Sequence, residues 1–330
     1  MTLALVPFAV DQPRSLALAS DALRTRLAPG ENFADLWPPI DSAIRTSHAT
    51  GGLVRSEGEA LGIVVWEPAG PLGVAVRLLY LSPPGAAVES YRAVLDLTEH
   101  AAGPIAFAPG PLAGLSAEEE STVMTGRGFA AYGRLEMGFP ATAPIAPLPA
   151  VAMGELRPVH PEDEPLLARL HEDAYRNHLD RYLSIEDLDP ARDADHQVRD
   201  YFSGRWGLPL SPGSAVVALD GRIVAAALAV RRPAHVLIID VMTDPVLQGK
   251  RLGRTALAGS LRDLRERGET AIVLNVTEAN QRATRLYSGL GFVRTMGPSQ
   301  EWYNARRMRV EIPPTAAAHS VGEGADSAGR

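Results

Sequence analysis

The 330-residue sequence carries a net charge of −7 and contains no cysteine, and these facts exclude several classes of protein. Without cysteine there is no disulfide, thiolate metal site or cysteine nucleophile, and an acidic chain lacks the basic face of a general nucleic-acid binder. No histidine pair has the spacing of a zinc motif, and no apolar run reaches ~18 residues. We therefore expect no metal, no membrane span and a cytoplasmic protein, and the length favours two domains of roughly 150 residues each.

Two segments rich in proline or glycine divide the chain. The segment 139–154, FPATAPIAPLPAVAMG, contains four prolines and no charge, which is typical of an extended linker. The small, polar and glycine-rich segment 313–330 is typical of a disordered tail. The predicted domains are therefore 1–140 and 154–312, joined by a linker at 141–153.

The two halves resemble each other at one fixed spacing. RSEGEALGIVV at 55–65 lies opposite ALDGRIVAAAL at 218–228, and MTGRGFAAY at 124–132 lies opposite YSGLGFVRT at 287–295, 163 residues apart in both cases. In each half an acidic residue and a glycine open a hairpin, and a helix ends at Gly-x-Gly-Phe before a strand. Two matches at one offset indicate a duplicated domain; the alternative is turn chemistry that two α/β halves share by chance.

The second half alternates strand and helix patterns. GELRPV predicts a strand, PEDEPLLARLHEDAYRNHL a helix, and SIEDLDPARDADHQVRDYFSGRWG one or two further helices. SAVVALD and RIVAAALAVRR predict a hairpin about Asp220-Gly221. HVLIIDVMT predicts a central strand, the helix 252–267 follows with Leu257, Leu261 and Leu264 inward, and TAIVLNV predicts another buried strand. A short helix over NQRATRLYSGLG and the strands FVRTMG and EWYNARRMRVEI close this half.

The loop QGKRLGR at 248–254 joins the predicted central strand to the next helix. Backbone N–H groups and the helix dipole attract anions at such a junction, and Lys250, Arg251 and Arg254 add positive charge. The spacing fits neither a P-loop nor a dinucleotide fingerprint, because position 244 is aspartate and only two glycines are present. The loop predicts a pyrophosphate site of another kind; a basic surface turn without a ligand is the alternative.

Two motifs here resemble those of the GCN5-related N-acetyltransferase (GNAT) superfamily. VMTDPVLQGKRLGRTAL is similar to its acetyl-CoA signature Q/R-x-x-G-x-G/A, with Gln248, Leu252 and Gly253 fitting and Arg251 in place of the first glycine. NVTEANQRATRLYSGLGF resembles the second signature, N-x-x-A-x-x-L-Y-x-x-x-G-F, with matches at Asn280, Ala283, Leu286, Tyr287, Gly291 and Phe292. The resemblance spans about 155–310. It implies an α/β fold (an α+β mixed sheet) of two tandem GNAT-like domains, each a central mixed, mostly antiparallel sheet flanked by helices, with its fourth and fifth strands splayed.

The resemblance also implies roles for individual residues. A backbone N–H near Val241 or Met242 would polarise the thioester carbonyl of acetyl-CoA, Asn280 would bind the pantetheine amides, and Tyr287 would protonate the leaving thiolate. The implied acetyl-CoA-binding set is Val241, Met242, Thr243, Gln248, Gly249, Lys250, Arg251, Leu252, Gly253, Arg254, Asn275, Asn280 and Ala283.

The acceptor amine is protonated at neutral pH, so a base must take its proton. Asp240, just before the active segment of the strand, is the candidate, and a structural carboxylate is the alternative. Glu172, His178 and Glu301 are candidate acceptor-binding residues. In the first half, LSPPGAAVESYRAVL replaces the basic loop and Met124 stands opposite Tyr287, so we predict that this half is degenerate and helps to shape the acceptor cleft.

These expectations combine into one function. The sequence predicts an acyl-CoA-dependent N-acetyltransferase that transfers an acetyl group to a primary amine of a small molecule by direct attack in a ternary complex. The alternatives are an acetyltransferase like mycothiol synthase, which the tandem arrangement also resembles, and a non-catalytic acyl-CoA sensor or scaffold. The expected partner is the amine alone, with no nucleic acid or membrane, and the protein is expected to be a monomer or homodimer.

Overall fold

The structure is a computed structural model that describes most of both halves. The described residues are 3–7, 50–57, 59–81, 87–110, 112, 114–145, 147, 153–176, 178, 180, 189–295 and 299–305, with single positions between 17 and 41. The predicted tail 313–330 and part of the predicted linker, 146 and 148–152, lie outside the described residues.

The first half contributes six strands and two α-helices among the described residues. In chain order they are β1 (Leu3–Pro7), β2 (Thr50–Ser56), β3 (Glu59–Pro68), β4 (Val74–Leu81), α1 (Val88–Ala102), β5 (Ile105–Pro109), α2 (Ala117–Gly126) and β6 (Phe129–Phe139). The helix α2 begins at a capping box, in which Ser116 accepts from the N–H of Glu119 and Glu119 accepts from the N–H of Ser116.

The elements of the second half follow the predicted order. They are β7 (Glu155–Pro158), α3 (Glu164–Tyr175), α4 (Pro190–Ser203), β8 (Leu208–Pro209), β9 (Ala215–Leu219), β10 (Arg222–Arg231), β11 (Val236–Thr243), α5 (Leu252–Glu266), β12 (Ile272–Thr277), α6 (Gln281–Ser288), β13 (Val293–Arg294) and β14 (Ser299–Asn304). The predicted hairpin is confirmed, because β9 and β10 pair across Asp220 (φ 48°) and Gly221 (φ 75°).

The strands of both halves form one continuous mixed sheet. Its order is β1-β2-β3-β4-β5-β14-β6-β12-β11-β10-β9-β7. The strand β6 of the first half pairs with β12, so that Phe139 lies opposite Ile272. The last strand, β14, lies between β5 and β6, with Trp302 opposite Ala108 and Ala131. The predicted strand EWYNARRMRVEI therefore forms at 299–304, but it pairs with the first half, and each half completes the sheet of the other.

The two halves repeat the same irregularities at the spacing that the sequence indicated. Glu57 and Asp220 both have positive φ, 51° and 48°, in matching hairpin turns. The pairing of β2 with β3 skips Leu61, and that of β9 with β10 skips Val224, so each half carries a bulge at the same place. Shared turn chemistry would explain a hairpin but not a matching bulge, so the structure favours a duplicated domain.

The helices lie on both faces of the sheet. One apolar cluster contains Leu257, Leu261 and Leu264 of α5, as predicted, together with Leu135 and Met137 of β6. A second cluster on the opposite face packs α3 and α4 against alternate residues of β10. The helices α1 and α2 cover the first half, in a cluster that also holds Trp302. Within the described residues, no helix is long and apolar enough to cross a membrane.

Candidate active site

The central strands separate where the sequence predicted a splay. The strands β11 and β12 pair in parallel only from Val236 opposite Ile272 to Ile238 opposite Leu274, although both continue beyond this point. On the other side of β11, Leu228 lies opposite Asp240 and Ala229 opposite Ile238, which leaves Ile239 as a bulge. Because the bulge breaks the alternation of side chains, Ile239 and Asp240 both lie on the face covered by α3. The gap between β11 and β12 beyond Ile238 opens a cleft.

The cleft encloses about 580 Å³ and gathers most of the predicted site residues. Those that line it are Asp240, Val241, Met242, Thr243, Gln248, Gly249, Arg251, Leu252, Gly253, Arg254, Asn275, Asn280, Ala283, Tyr287, His178 and Glu301. Two predicted residues do not. Lys250 is exposed outside the cleft, and Glu172 pairs with Arg176 at 2.8 Å on the surface of α3.

The basic loop leads into a helix terminus that can receive an anion. The helix α5 has no side-chain cap and no acidic residue in its first turn, so the structure shows no side chain covering its first N–H groups. Arg251, in place of the expected glycine, has φ 65°, the left-handed conformation that glycine adopts freely. A side chain at Gly253 would meet Thr243 Oγ1 at 2.5 Å, so this glycine lets the helix approach β11 closely. The donors and shape fit a pyrophosphate group.

The loop is fixed by contacts with α6. Gln248 Oε1 accepts a hydrogen bond from Arg282, and Arg254 Nη2 donates to the carbonyl of Gly289 at 2.9 Å. Asn280 caps α6, since its Oδ1 accepts from the N–H of Ala283 at 3.1 Å, and its Nδ2 lies 3.3 Å from His178 Nε2. The amide oxygen of Asn280 is therefore already engaged, and the two signature motifs form one structural unit.

Asp240 lies in a buried polar cluster on the α3 face of the cleft. Burial raises the pKa of Asp240 to about 7, although hydrogen bonds from the Tyr175 hydroxyl at 2.8 Å and from the Val241 N–H favour the carboxylate. His171 Nε2 lies 4.0 Å from Asp240 Oδ2. Burial lowers the pKa of His171 to about 4, so this histidine is neutral at pH 7 and the contact is not an ion pair. Asp240 is thus a carboxyl group that exchanges its proton near neutral pH.

Tyr287 faces the same cleft from α6. Its side chain is 8% exposed, and its ring packs against Phe292 at 6.0 Å between centroids. Burial raises the pKa of Tyr287, and the carboxylates of Asp240 and Asp180 raise it further. The phenol therefore stays protonated at physiological pH and can donate a hydrogen bond or a proton.

The first half supplies part of the cleft wall. Tyr132 and Arg134 lie on β6, and Arg77 lies on β4. The Tyr132 hydroxyl donates to Glu301, and Arg134 Nη1 donates to Thr277 Oγ1 at 3.0 Å. The sequence offered no motif for these residues, because they reach the site only through the pairing of β6 with β12 and β14.

The corresponding positions of the first half lack this chemistry. Met124 occupies the place of Tyr287 and is fully buried. The helix α1 has the same length as α5, 15 residues, but carries Glu89 in its first turn, where a negative charge opposes phosphate binding. The first-half counterpart of the basic loop, 82–86, lies outside the described residues.

Comparison with known proteins finds a family model that matches the region of the candidate site. The sequence model of the Acetyltransferase (GNAT) family matches residues 171–292, which include the splayed strands, the basic loop and Tyr287. The part of the chain that holds the candidate site is thus similar to the GNAT family.

Among curated proteins, the chain resembles mycothiol acetyltransferases. It is 32% identical to the one from Thermomonospora curvata over 157 residues, which make up 45% of this chain and 48% of that protein. It is 48% identical to the one from Stackebrandtia nassauensis over 50 residues, 15% of this chain and 16% of that protein. The matches thus span about half the length, or less, of these relatives.

Solved structures extend the likeness to both halves. A tandem GNAT protein from the clavulanic acid biosynthesis pathway superposes with a TM-score of 0.57 at 16% identity, covering 92% of this chain and 97% of that one. A GCN5-related N-acetyltransferase from Sphaerobacter thermophilus gives a TM-score of 0.60 at 16% identity, over 91% and 95% of the two chains. The predicted tandem GNAT fold is confirmed.

Proposed function

We propose that this protein transfers an acetyl group from acetyl-CoA to a primary amine of a small molecule, by direct attack within a ternary complex. The observation that carries the proposal is the meeting of Asp240 and Tyr287 in one cleft that begins at the uncapped terminus of α5. A group that can accept a proton near pH 7 thus shares a cleft with a group that can donate one. We place the catalytic function in the second half, 154–312, with the first half as wall and scaffold.

The proposed chemistry divides the proton transfers between these two residues. Asp240, as the carboxylate, takes one proton from the protonated amine, directly or through one water, and the free amine nitrogen then attacks the thioester carbonyl carbon. The C–S bond breaks as the new C–N bond is completed. Tyr287 gives its proton to the departing sulfur and regains one from the nitrogen, which loses its second proton as the amide forms. An N–H of the splayed strand β11, near Val241 or Met242, is the proposed donor to the carbonyl oxygen.

Two further candidates remain. The first is an acetyl transfer like that of the mycothiol acetyltransferases, which the similarity to these proteins favours. A binding protein without turnover would also use the basic loop, but it would have no need of Asp240 and Tyr287 in the same cleft.

The test is release of free thiol from acetyl-CoA with a panel of primary amines. Tyr287→Phe should lower the rate by about 10²-fold or more, because it removes the general acid, and should leave CoA binding by titration calorimetry nearly unchanged. Tyr303→Phe is the matched control, since Tyr303 is a buried tyrosine outside the cleft. Binding of CoA without thiol release for any amine would support the non-catalytic alternative instead.

A further inference from the structure

A second chamber adjoins the cleft on the face covered by α3 and α4. It encloses about 210 Å³ and is walled by residues of α3, α4, β10, β11 and β12, with Trp206 and Arg232 between them. Asp240, His171 and Arg134 line both spaces, so the proposed base lies where they meet. The N-terminus of α5, where we propose that the pyrophosphate binds, lines only the larger cleft. The chamber therefore lies on the side of Asp240 away from the acetyl-CoA, where the acceptor would bind.

Arg134 is brought to this chamber by the exchange of strands between the halves. Alternate residues of β6, among them Leu135 and Met137, enter the core under α5, so Arg134 lies on the opposite face with Tyr132. It stands opposite Thr277 of β12, to whose hydroxyl it donates. The side chain is half-buried.

Arg134 has no carboxylate partner among the residues that the structure describes. Three nearby acids each accept a hydrogen bond from a hydroxyl group: Asp240 from Tyr175, Asp180 from Thr277, and Glu301 from Tyr132. A half-buried guanidinium that donates to one hydroxyl among the described residues retains donors for a ligand. Since His171 is neutral, Arg134 is a positive charge that lines the same two spaces as the proposed base.

We propose that Arg134 binds a carboxylate of the acceptor, so that the acceptor carries both a primary amine and a carboxylate, as an amino acid or a short peptide does. This inference rests on the proposed acetyltransferase function and names the class of its acceptor. An arginine fork matches a carboxylate with two parallel hydrogen bonds. The amine then lies toward Asp240, and the carboxylate anchors the molecule at β6.

The experiment compares amino acids with their own carboxamides. The full-length protein is assayed for thiol release with acetyl-CoA and the common L-amino acids, each paired with its α-carboxamide, which keeps the amine and loses the charge. We expect higher kcat/KM for the acids. Arg134→Met should lower kcat/KM for the acids by about 10- to 100-fold, as expected for charge-assisted hydrogen bonds, and that for the amides by less than about twofold.

Two further variants separate binding from folding. Arg134→Lys keeps the charge without the fork and should retain more activity toward the acids than Arg134→Met does. Arg294→Met, which changes an exposed arginine of β13 outside the cleft, should leave both rates unchanged.

The outcomes distinguish this inference from the function on which it rests. Equal losses for acids and amides in Arg134→Met would show a merely structural role and overturn it. Turnover of amines without any preference for a carboxylate would overturn it too, while leaving the acetyltransferase function intact. If CoA binds but no amine releases thiol, the acetyltransferase function itself fails, and the acceptor inference fails with it.

Discussion

At the scale of single residues, the pKa of Asp240 makes the proposed mechanism testable. Burial raises it to about 7, and the reaction needs the carboxylate. The value of kcat/KM should therefore rise with pH through an inflection near 7, below the ionisation of the amine. Asp240→Asn keeps the acceptor for the Tyr175 hydroxyl, but it should lose about 10²-fold or more in rate and the inflection with it. A retained inflection in this variant would assign the base elsewhere.

The raised pKa of Asp240 also predicts that the protein loses stability as pH rises through this range. The pKa of an unfolded aspartate is about 3.9, so the folded state binds this proton more tightly than the unfolded state. Ionisation of Asp240 therefore lowers the free energy of unfolding progressively as pH rises from about 4 to about 7, with the full penalty above 7. Asparagine carries no such penalty. Urea denaturation should show Asp240→Asn gaining stability relative to the parent protein between pH 5 and pH 8; a constant difference would contradict this.

At the scale of elements, the loop before α5 combines a backbone strain with a charge, and both belong to Arg251. Its φ of 65° is a conformation that costs a residue with a side chain roughly 1–2 kcal/mol. Arg251→Gly and Arg251→Ala both remove the charge, but only the glycine variant relieves the strain. Both should weaken CoA binding severalfold, more at low salt than at high salt, and the glycine variant should be about 1 kcal/mol more stable than the alanine variant.

Calorimetric titration with CoA at two salt concentrations, together with urea denaturation, checks this prediction. Arg294→Ala is the control for loss of a positive charge away from the loop. Equal CoA affinity in all variants would remove Arg251 from the pyrophosphate site. Equal stability of the two Arg251 variants would show that the left-handed conformation is not strained in solution.

The elements nearest the chemistry were also the ones that the sequence predicted best. The loop at 248–254, the strand before it and the helix with Tyr287 are contiguous motifs, so their local chemistry and their resemblance to the two GNAT signatures reveal them. Asp240 could be predicted in the same way. The sequence did not show that the bulge would fall at Ile239 and turn Asp240 toward α3. Tyr175 and His171 were missed as its neighbours, because nothing in a helical pattern shows which strand residue a helix will face.

At the scale of the whole molecule, the pairing between halves was beyond prediction from the sequence. The strand pattern at 299–304 was visible, but its partners were not, because alternation of apolar residues specifies a buried face and not a neighbouring strand. Arg134 entered the site by this route. A fragment of residues 1–140 would lack β14, so CoA binding by the first half is better tested in the full chain, with the loop at 248–254 altered.

The exchange of strands predicts that the two halves unfold together. Trp302 of β14 is 2% exposed within the core of the first half, where its Nε1 donates to Glu120 Oε1 at 2.6 Å. Trp302→Phe leaves the buried Glu120 with the N–H of Leu112 as its remaining donor among the described residues, at a cost of roughly 1.5–3 kcal/mol. Because β14 and β6 join the halves, the proposed acetyltransferase activity and helical circular dichroism should be lost at one urea concentration, lower than that of the parent protein.

Trp66→Phe is the matched control, since Trp66 is a buried tryptophan of the same core whose indole N–H meets no acceptor among the described residues. It should shift the transition less than Trp302→Phe does. The two readouts decide between one folding unit and two. If activity survives at urea concentrations where much of the helical signal of Trp302→Phe is already lost, the second half folds without the first. The continuous sheet would then be an association of two independent domains.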